Sequence, residues 1–196
     1  MADQPLDDVI DELRAYVAAH VAGGFLSPEE IIDATVGAFG EENDAERLRP
    51  AATRLTETAL AAHARAEQEW PAVTDCDRLD RAFAELEAAG IVARQDFSCC
   101  GTCGVGEILD EIEKVVASGR DVRGYTFYHL QDTESAVEGH GICLSYGARE
   151  HDELAALAIG REIVSTLQRH GFAPEWPGTW DKRISVPLDW KRRRSR

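Results

Sequence analysis

Three of the chain's five cysteines fall within five positions, in the segment Phe97-Ser98-Cys99-Cys100-Gly101-Thr102-Cys103-Gly104. Cys100-x-x-Cys103 is the spacing by which a single turn presents two thiolates to a tetrahedral ion, with Zn–S bonds near ~2.3 Å. Two further ligands would come from Cys99 or Cys143 and from His129 or His140. The same motif where a strand gives way to a helix also suits redox work, because the positive end of the helix dipole favours a thiolate. Cys100 would then attack, and Cys103 or Cys99 would resolve. Small soft residues packed at such a junction are the inert alternative. Adjacent cysteines point in different directions, so Cys99 and Cys100 can face one ion only where the backbone turns sharply. Gly101 and Gly104 permit such a turn.

Other candidates carry less. Cys143 alternates with Ile142, Leu144 and Tyr146, so it shares the opposite strand face with Ser145 and is either a distant ligand or simply buried. Cys76, alone near a helix start, reads as structural. His129 follows an aromatic run and fits a core-edge position as well as a ligand position. Asp132 and Glu134 have acid–base chemistry, but Asp132-Thr133-Glu134-Ser135 is also ordinary helix-start composition. His20, His63, His151 and His170 sit in or at the ends of helical stretches, as surface or capping residues. No Ser-His-Asp order, glycine-rich phosphate loop or H-E-x-x-H is present.

The elements that must position these residues follow from periodicity. With 196 residues, 44% hydrophobic and 29% charged, the chain has the composition of an ordinary soluble protein. Residues 1–90 read as helical, residues 91–190 as a sheet region packed on them in one globular unit, and residues 191–196 as a basic tail. Leu6, Val9, Ile10, Leu13 and Val17 recur at helical spacing, and Gly23-Gly24 ends that stretch. Ser27-Pro28-Glu29-Glu30 opens a second helix with a Ser N-cap, Pro at the first turn and Glu at the third position. A third helix covers about residues 44–69 with Pro50 near its start, its apolar stripe running Leu48, Ala52, Leu55, Ala59, Ala62. A fourth, from Thr74 to Ala89, turns Leu79, Ala82, Phe83 and Leu86 inward.

Ile91 to Phe97 then reads as a strand, followed by a helix through Ile108 and Ile112. Strands are expected at Tyr125–Leu130 and Gly141–Tyr146, with a single helical turn between them. A long helix from Asp152 to His170 follows, in which Gly160 allows close packing on a sheet. Two short strands, Phe172–Trp176 and Arg183–Leu188, close the chain. This order predicts an α+β fold: a helical first half, then a four- to five-stranded, mostly antiparallel sheet with two packed helices, in ferredoxin-like βαββαβ order. In that topology the first strand lies beside the third, with the second at an edge. Cys99, Cys100, Cys103, Cys143, His129 and His140 would then meet at one end of the sheet.

The formal charge of −15 argues against duplex DNA and anionic membranes as partners. The helix–Gly–strand run near residue 90 has the order of a winged-helix reader, but Asp75, Asp77, Asp80, Glu85 and Glu87 would face phosphates. The tail, with Lys191, Arg192, Arg193, Arg194 and Arg196, reads as a solvated or self-docking end, and its deletion is expected to leave the fold intact. The acidic start Met1-Ala2-Asp3-Gln4-Pro5 lacks a signal peptide's pattern, and no apolar run reaches the ~18 residues of a membrane span. The expected location is the cytoplasm, where clustered cysteines read as metal ligands or redox thiols before disulfides.

Thr74-Asp75-Cys76-Asp77-Arg78-Leu79, the cysteine segment, His129-Leu130-Gln131-Asp132-Thr133-Glu134, Trp176 to Ile184 and Trp190-Lys191-Arg192-Arg193 resemble segments of an uncharacterised bacterial domain-of-unknown-function family. The resemblance implies a cytoplasmic single-domain protein and transfers no activity. The first functional expectation is a protein with a small structural or sensing zinc site. The alternatives are a thiol-dependent redox protein or enzyme, and an acidic interaction module that binds a protein partner or a second copy.

Overall fold

Capping chemistry sets where the helices begin. Ser27 accepts from the Glu30 backbone N–H while Glu30 Oε2 accepts from Ser27 N at 2.7 Å, and Thr74 forms the same reciprocal box with Asp77. In this computed structural model, which describes residues 6–40, 45–150 and 152–194, the chain divides into two compact units. One comprises residues 1–72 with 191–196, the other residues 73–190.

The first unit is helical: α1 (Leu6–Gly23), α2 (Pro28–Phe39) and α3 (Ala45–Glu67) pack against one another. Of the stripe read on α1, Val9, Leu13 and Val17 are at most 4% exposed and Ile10 is half-buried, while Val21 extends the buried face. On α3 the buried residues are Leu48, Ala51, Ala52 and Thr56, whereas Ala62 lies exposed. Pro50 sits inside α3, in its second turn, where its missing N–H costs one backbone bond without ending the helix.

The described part of the basic tail, residues 191–194, docks on this unit, so there the solvated alternative fails. Arg194 donates from Nη1 to the carbonyls of His20 (3.3 Å) and Val21 (3.0 Å), and from Nη2 to Leu26 O. The first two are among the last carbonyls of α1, at the negative end of the helix dipole, and His20 O also accepts from Gly24 N at 3.2 Å. Glu67 Oε1 accepts from Arg194 N at 2.8 Å. Arg193 and Arg194 find backbone carbonyls and Arg192 the Phe25 ring, partners that no charge count reveals. Truncation before Lys191 is therefore expected to cost at least about 2 kcal/mol, roughly 4–8 °C in Tm for a chain of this size, checked by calorimetry.

The second unit holds α4 (Asp75–Ala88), β1 (Ile91–Arg94), α5 (Gly101–Ala117), β2 (Gly124–Phe127), α6 (Leu130–Val137), β3 (Ile142–Ala148), α7 (Glu153–Arg169) and β4 (Ile184–Val186). The strands form one sheet in the order β1-β2-β3-β4. β1 pairs with β2 in parallel, and the other two pairings are antiparallel. The sheet is thus mixed, and the ferredoxin-like order is overturned: β1 lies at an edge beside β2, not beside β3. On that edge Glu87 Oε1 accepts from Ala93 N at 2.8 Å, taking a donor that a further strand would have used. The expected strand at Phe172–Trp176 reduces to one bridge, Glu175 to Ser185.

The β2 alternation places Tyr125 and Phe127 against α5, in a core with Val92, Ile108, Ile112 and Val122. Gly124 lies on the other face, where a Cβ would come within 2.8 Å of Ile159 on α7. Gly160 does on α7 what its position suggested: a Cβ there would stand 2.8 Å from the Trp176 ring.

Candidate thiol site and its histidine–aspartate–arginine support

Between β1 and α5 the chain makes a tight, non-glycine bend. Asp96 and Ser98 both adopt positive φ, 50° and 67°, a conformation that costs an ordinary residue of order 1 kcal/mol or more. Three hydrogen bonds hold the bend against the β2–α6 junction: Phe97 N to Tyr128 O (2.8 Å), Leu130 N to Ser98 O (3.1 Å), and Thr133 Oγ1 to Asp96 Oδ1 (2.6 Å). Phe97 meets Phe127 edge-on at 5.7 Å. The sharp turn that neighbouring cysteines required is therefore supplied before them, by Asp96 and Ser98, rather than by the glycines after them.

Cys100 is the N-cap of α5, with φ −157° and ψ 171°, and the first helical bond runs from Gly104 N to Cys100 O at 2.9 Å. Cys103 follows at the third helical position. The sulfurs of Cys99, Cys100 and Cys103 all lie within 4.8 Å of one another, and Cys99 and Cys103 are exposed. Sulfurs around a tetrahedral zinc stand ~3.8 Å apart given the Zn–S length, so modest contraction would bring the three into that geometry. Gly104 seats the first turn of α5 flush on β2, since a Cβ there would be 2.5 Å from Phe127 Cε2.

The two C-x-x-C thiols are electrostatically unequal. The Cys100 side chain makes no capping hydrogen bond of full geometry. The Cys103 backbone N–H is nonetheless the main influence holding the Cys100 pKa below its usual value, with the neighbouring thiols and Thr102 N–H assisting. Cys103 is pushed up to about 11 by hydrogen bonding to, and repulsion from, Cys99 and Cys100. One thiolate forms readily; a second beside it does not.

His129, the residue that caps α6, places its ring beside the cysteine loop: a Cβ on Gly101 would be 3.5 Å from His129 Nε2. His129 is 6% exposed. Its Nε2 is 3.2 Å from Asp132 Oδ2, which also accepts from His129 N at 3.1 Å. Asp132 in turn receives both guanidinium nitrogens of Arg183, Nη1 to Oδ1 at 3.1 Å and Nη2 to Oδ2 at 2.5 Å. Arg183 also donates to Cys143 O. The buried Nδ1 of His129 and Oγ of Ser98 have no hydrogen-bond partner among the described residues.

Of the six residues singled out as ligands, the structure gathers Cys99, Cys100 and Cys103 into one group. His129 flanks that group through Gly101. Cys143 is half-buried on β3, register-paired with Ser185, and its carbonyl accepts from Arg183. His140 is exposed beyond the C-terminal end of α6, where its N–H donates to Ser135 O at 2.9 Å. Arg183 had no signal in the sequence, because its partner lies 51 positions away. Among the other histidines, His20 is 7% exposed and packs edge-on against Tyr16. His63 Nε2 lies 3.0 Å from Arg192 O, and His170 Nε2 2.8 Å from Glu85 Oε2. His151 lies outside the described residues. Cys76, 2% exposed, is structural as read.

A family model described as a domain of unknown function (DUF6891) matches residues 6–194. The chain belongs to that family. The DUF6891 match spans the cysteine segment and Arg183 as well as the helical first unit. No curated protein and no solved structure matches the chain. No helix among the described residues is long and apolar enough to cross a membrane.

Burial lowers the His129 pKa below 6.5, outweighing the opposing pull of Asp132. Below pH 6.5 the unfolded chain takes up this proton before the folded one does. The stability tied to neutral His129 is therefore complete above that pH and lost as the pH falls through the window beneath it. The Tm difference between wild type and His129→Gln, followed from pH 7.5 to 5, is expected to shrink as the pH falls. A constant difference would contradict the assignment.

Proposed function

We propose that Cys99, Cys100 and Cys103 form a site for a soft divalent metal, zinc first, that serves a structural or sensing role. The observation that carries this reading is the mutual 4.8 Å approach of three sulfurs at a helix N-terminus. Thiolates at that spacing repel one another, and a dication reverses the sign of the interaction. Three protein ligands leave a fourth position for solvent or an incoming ligand, which suits sensing better than a closed structural site. His129, held by Asp132, lies beside Gly101 and would support the loop from outside the ligand shell. The reducing cytoplasm is the compartment in which such thiols stay available, and all five cysteines are free.

Elemental analysis of untagged protein, with a thiol count, tests this: about one zinc per chain with protected thiols is expected. Cys100→Ser and Cys103→Ser should lower zinc affinity by similar factors, while Cys143→Ser leaves it unchanged. Metal-free protein that gains no stability on zinc titration would remove the reading.

A second reading rests on the inequality of Cys100 and Cys103. Cys100 thiolate would attack a substrate disulfide, forming a mixed disulfide and expelling one substrate thiolate. Cys103, after losing its proton, would attack that bond, expelling the second thiolate and closing a Cys100–Cys103 disulfide. Two electrons pass from the dithiol to the substrate. Here Cys100→Ser abolishes exchange while Cys103→Ser traps the mixed disulfide, an asymmetry that the metal reading does not predict.

A further inference from the structure

We propose that the helical unit is a binding site for an arginine-rich peptide segment, occupied in cis by this chain's own residues 191–194. The proposal is independent of the thiol site. The tail docks without forming a helix or strand, so its attachment is peptide-like recognition rather than shared secondary structure. The side-chain contacts suit the planar, many-donor guanidinium better than an ammonium. The Arg192 guanidinium lies over the Phe25 ring at 4.1 Å, a cation–π stack. Arg193 lies 5.9 Å from the Trp70 ring centre and donates to Pro71 O at 2.6 Å. Arg194 forks across three carbonyls from two segments, His20 and Val21 at the end of α1 and Leu26 in the following loop. A planar five-donor group reaches all three, and an ammonium does not.

Main-chain groups are read as well. His63 Nε2 meets Arg192 O, and Glu67 Oε1 accepts Arg194 N, which sets the direction in which the segment lies. Beside Arg194 a cavity of about 570 Å³ remains open, lined in part by Phe25, Leu26, Leu60 and Ala64. The built site therefore extends past the side chains that occupy it. Every receptor group belongs to the helical unit, so the same segment from a second copy would make the same contacts. The cis tail differs only in its effective concentration, of order millimolar for a short tether. The occupant proposed in trans is accordingly the C-terminal segment of another copy of this chain.

The test uses the full chain carrying Arg192→Ala, Arg193→Ala and Arg194→Ala together, and a fluorescent peptide with the sequence of residues 190–196. Anisotropy should show saturable binding to the triple variant and at least tenfold weaker apparent binding to wild type, whose own tail competes. A peptide with lysine at every arginine position should bind the variant at least tenfold more weakly. Absence of saturable binding to a folded triple variant overturns the proposal, as does equal affinity for variant and wild type or for the two peptides. If circular dichroism shows the triple variant unfolded, Arg192→Ala alone takes its place. Loss of the Phe25 stack should let it bind the peptide several-fold more tightly than wild type, and no gain overturns the proposal.

Discussion

Replacing Asp132 with alanine is expected to destabilise the fold by about 2–3 kcal/mol, read by chemical denaturation as a lower midpoint at unchanged slope. Asp132 is 6% exposed and gathers three partners: the Arg183 guanidinium, the His129 N–H and the His129 ring. Its removal leaves the guanidinium without its carboxylate and takes the cap from α6 at the same time. The cost is chiefly that of stranding the buried His129 N–H and ring, since the Arg183 side chain is 38% exposed and regains water. The double variant Asp132→Asn/Arg183→Met, which removes both charges, should recover part of the loss. An Asp132→Ala variant within about 1 kcal/mol of wild type would show that the network bears no weight. Because His129 touches the cysteine loop through Gly101, zinc affinity should also fall, by roughly ten- to a hundredfold.

The second large effect is expected at Gly104. A Cβ there would lie 2.5 Å from Phe127 Cε2 and 2.9 Å from Cζ. Phe127 is fully buried among Val92, Ile108 and Tyr125. Gly104→Val should therefore cost about 3 kcal/mol or more, the upper range for overpacking a filled core, and should lift the first turn of α5 off the sheet. Since that turn carries Cys103, the variant should lose zinc binding even where it remains folded. Gly106 is the internal control: a Cβ there meets nothing within 4 Å. Gly106→Ala should stabilise α5 by about 0.5–1 kcal/mol through helix propensity alone. Thermal melts of the two variants side by side check both statements, and a mild Gly104→Val would mean that Phe127 can yield.

How much of this was legible follows from the range of the interactions. The capping box at Ser27, the helix start at Thr74 and the inward face of Leu79, Ala82, Phe83 and Leu86 depend on neighbours within one or two turns, and all are found. The thiol group was legible for the same reason, since five consecutive positions around a helix start bring three sulfurs together. The bend at Asp96 and Ser98 was not. Nothing in their types demands positive φ; the conformation is imposed by Tyr128 O, Leu130 N and Thr133 on the neighbouring strand and helix.

The strand order marks the boundary most plainly. A β-α-β unit can set its second strand beside the first or leave a gap for a third, and both choices bury the same alternating residues. Periodicity is blind to that choice. Tertiary packing made it, with α5 lying on Val92, Tyr125 and Phe127 together and Glu87 occupying the outer edge of β1. Arg183 and the tail arginines were likewise decided in three dimensions, because their partners are carboxylates and helix-end carbonyls far along the chain. By itself the sequence determined most of the helices and strands and the cysteine cluster, all written in short-range chemistry, although α6 runs for eight residues where one turn was expected. The tertiary structure alone decided which strand lies beside β1, what stands behind the cysteine loop and where the basic tail goes, because each depends on groups brought together only by folding.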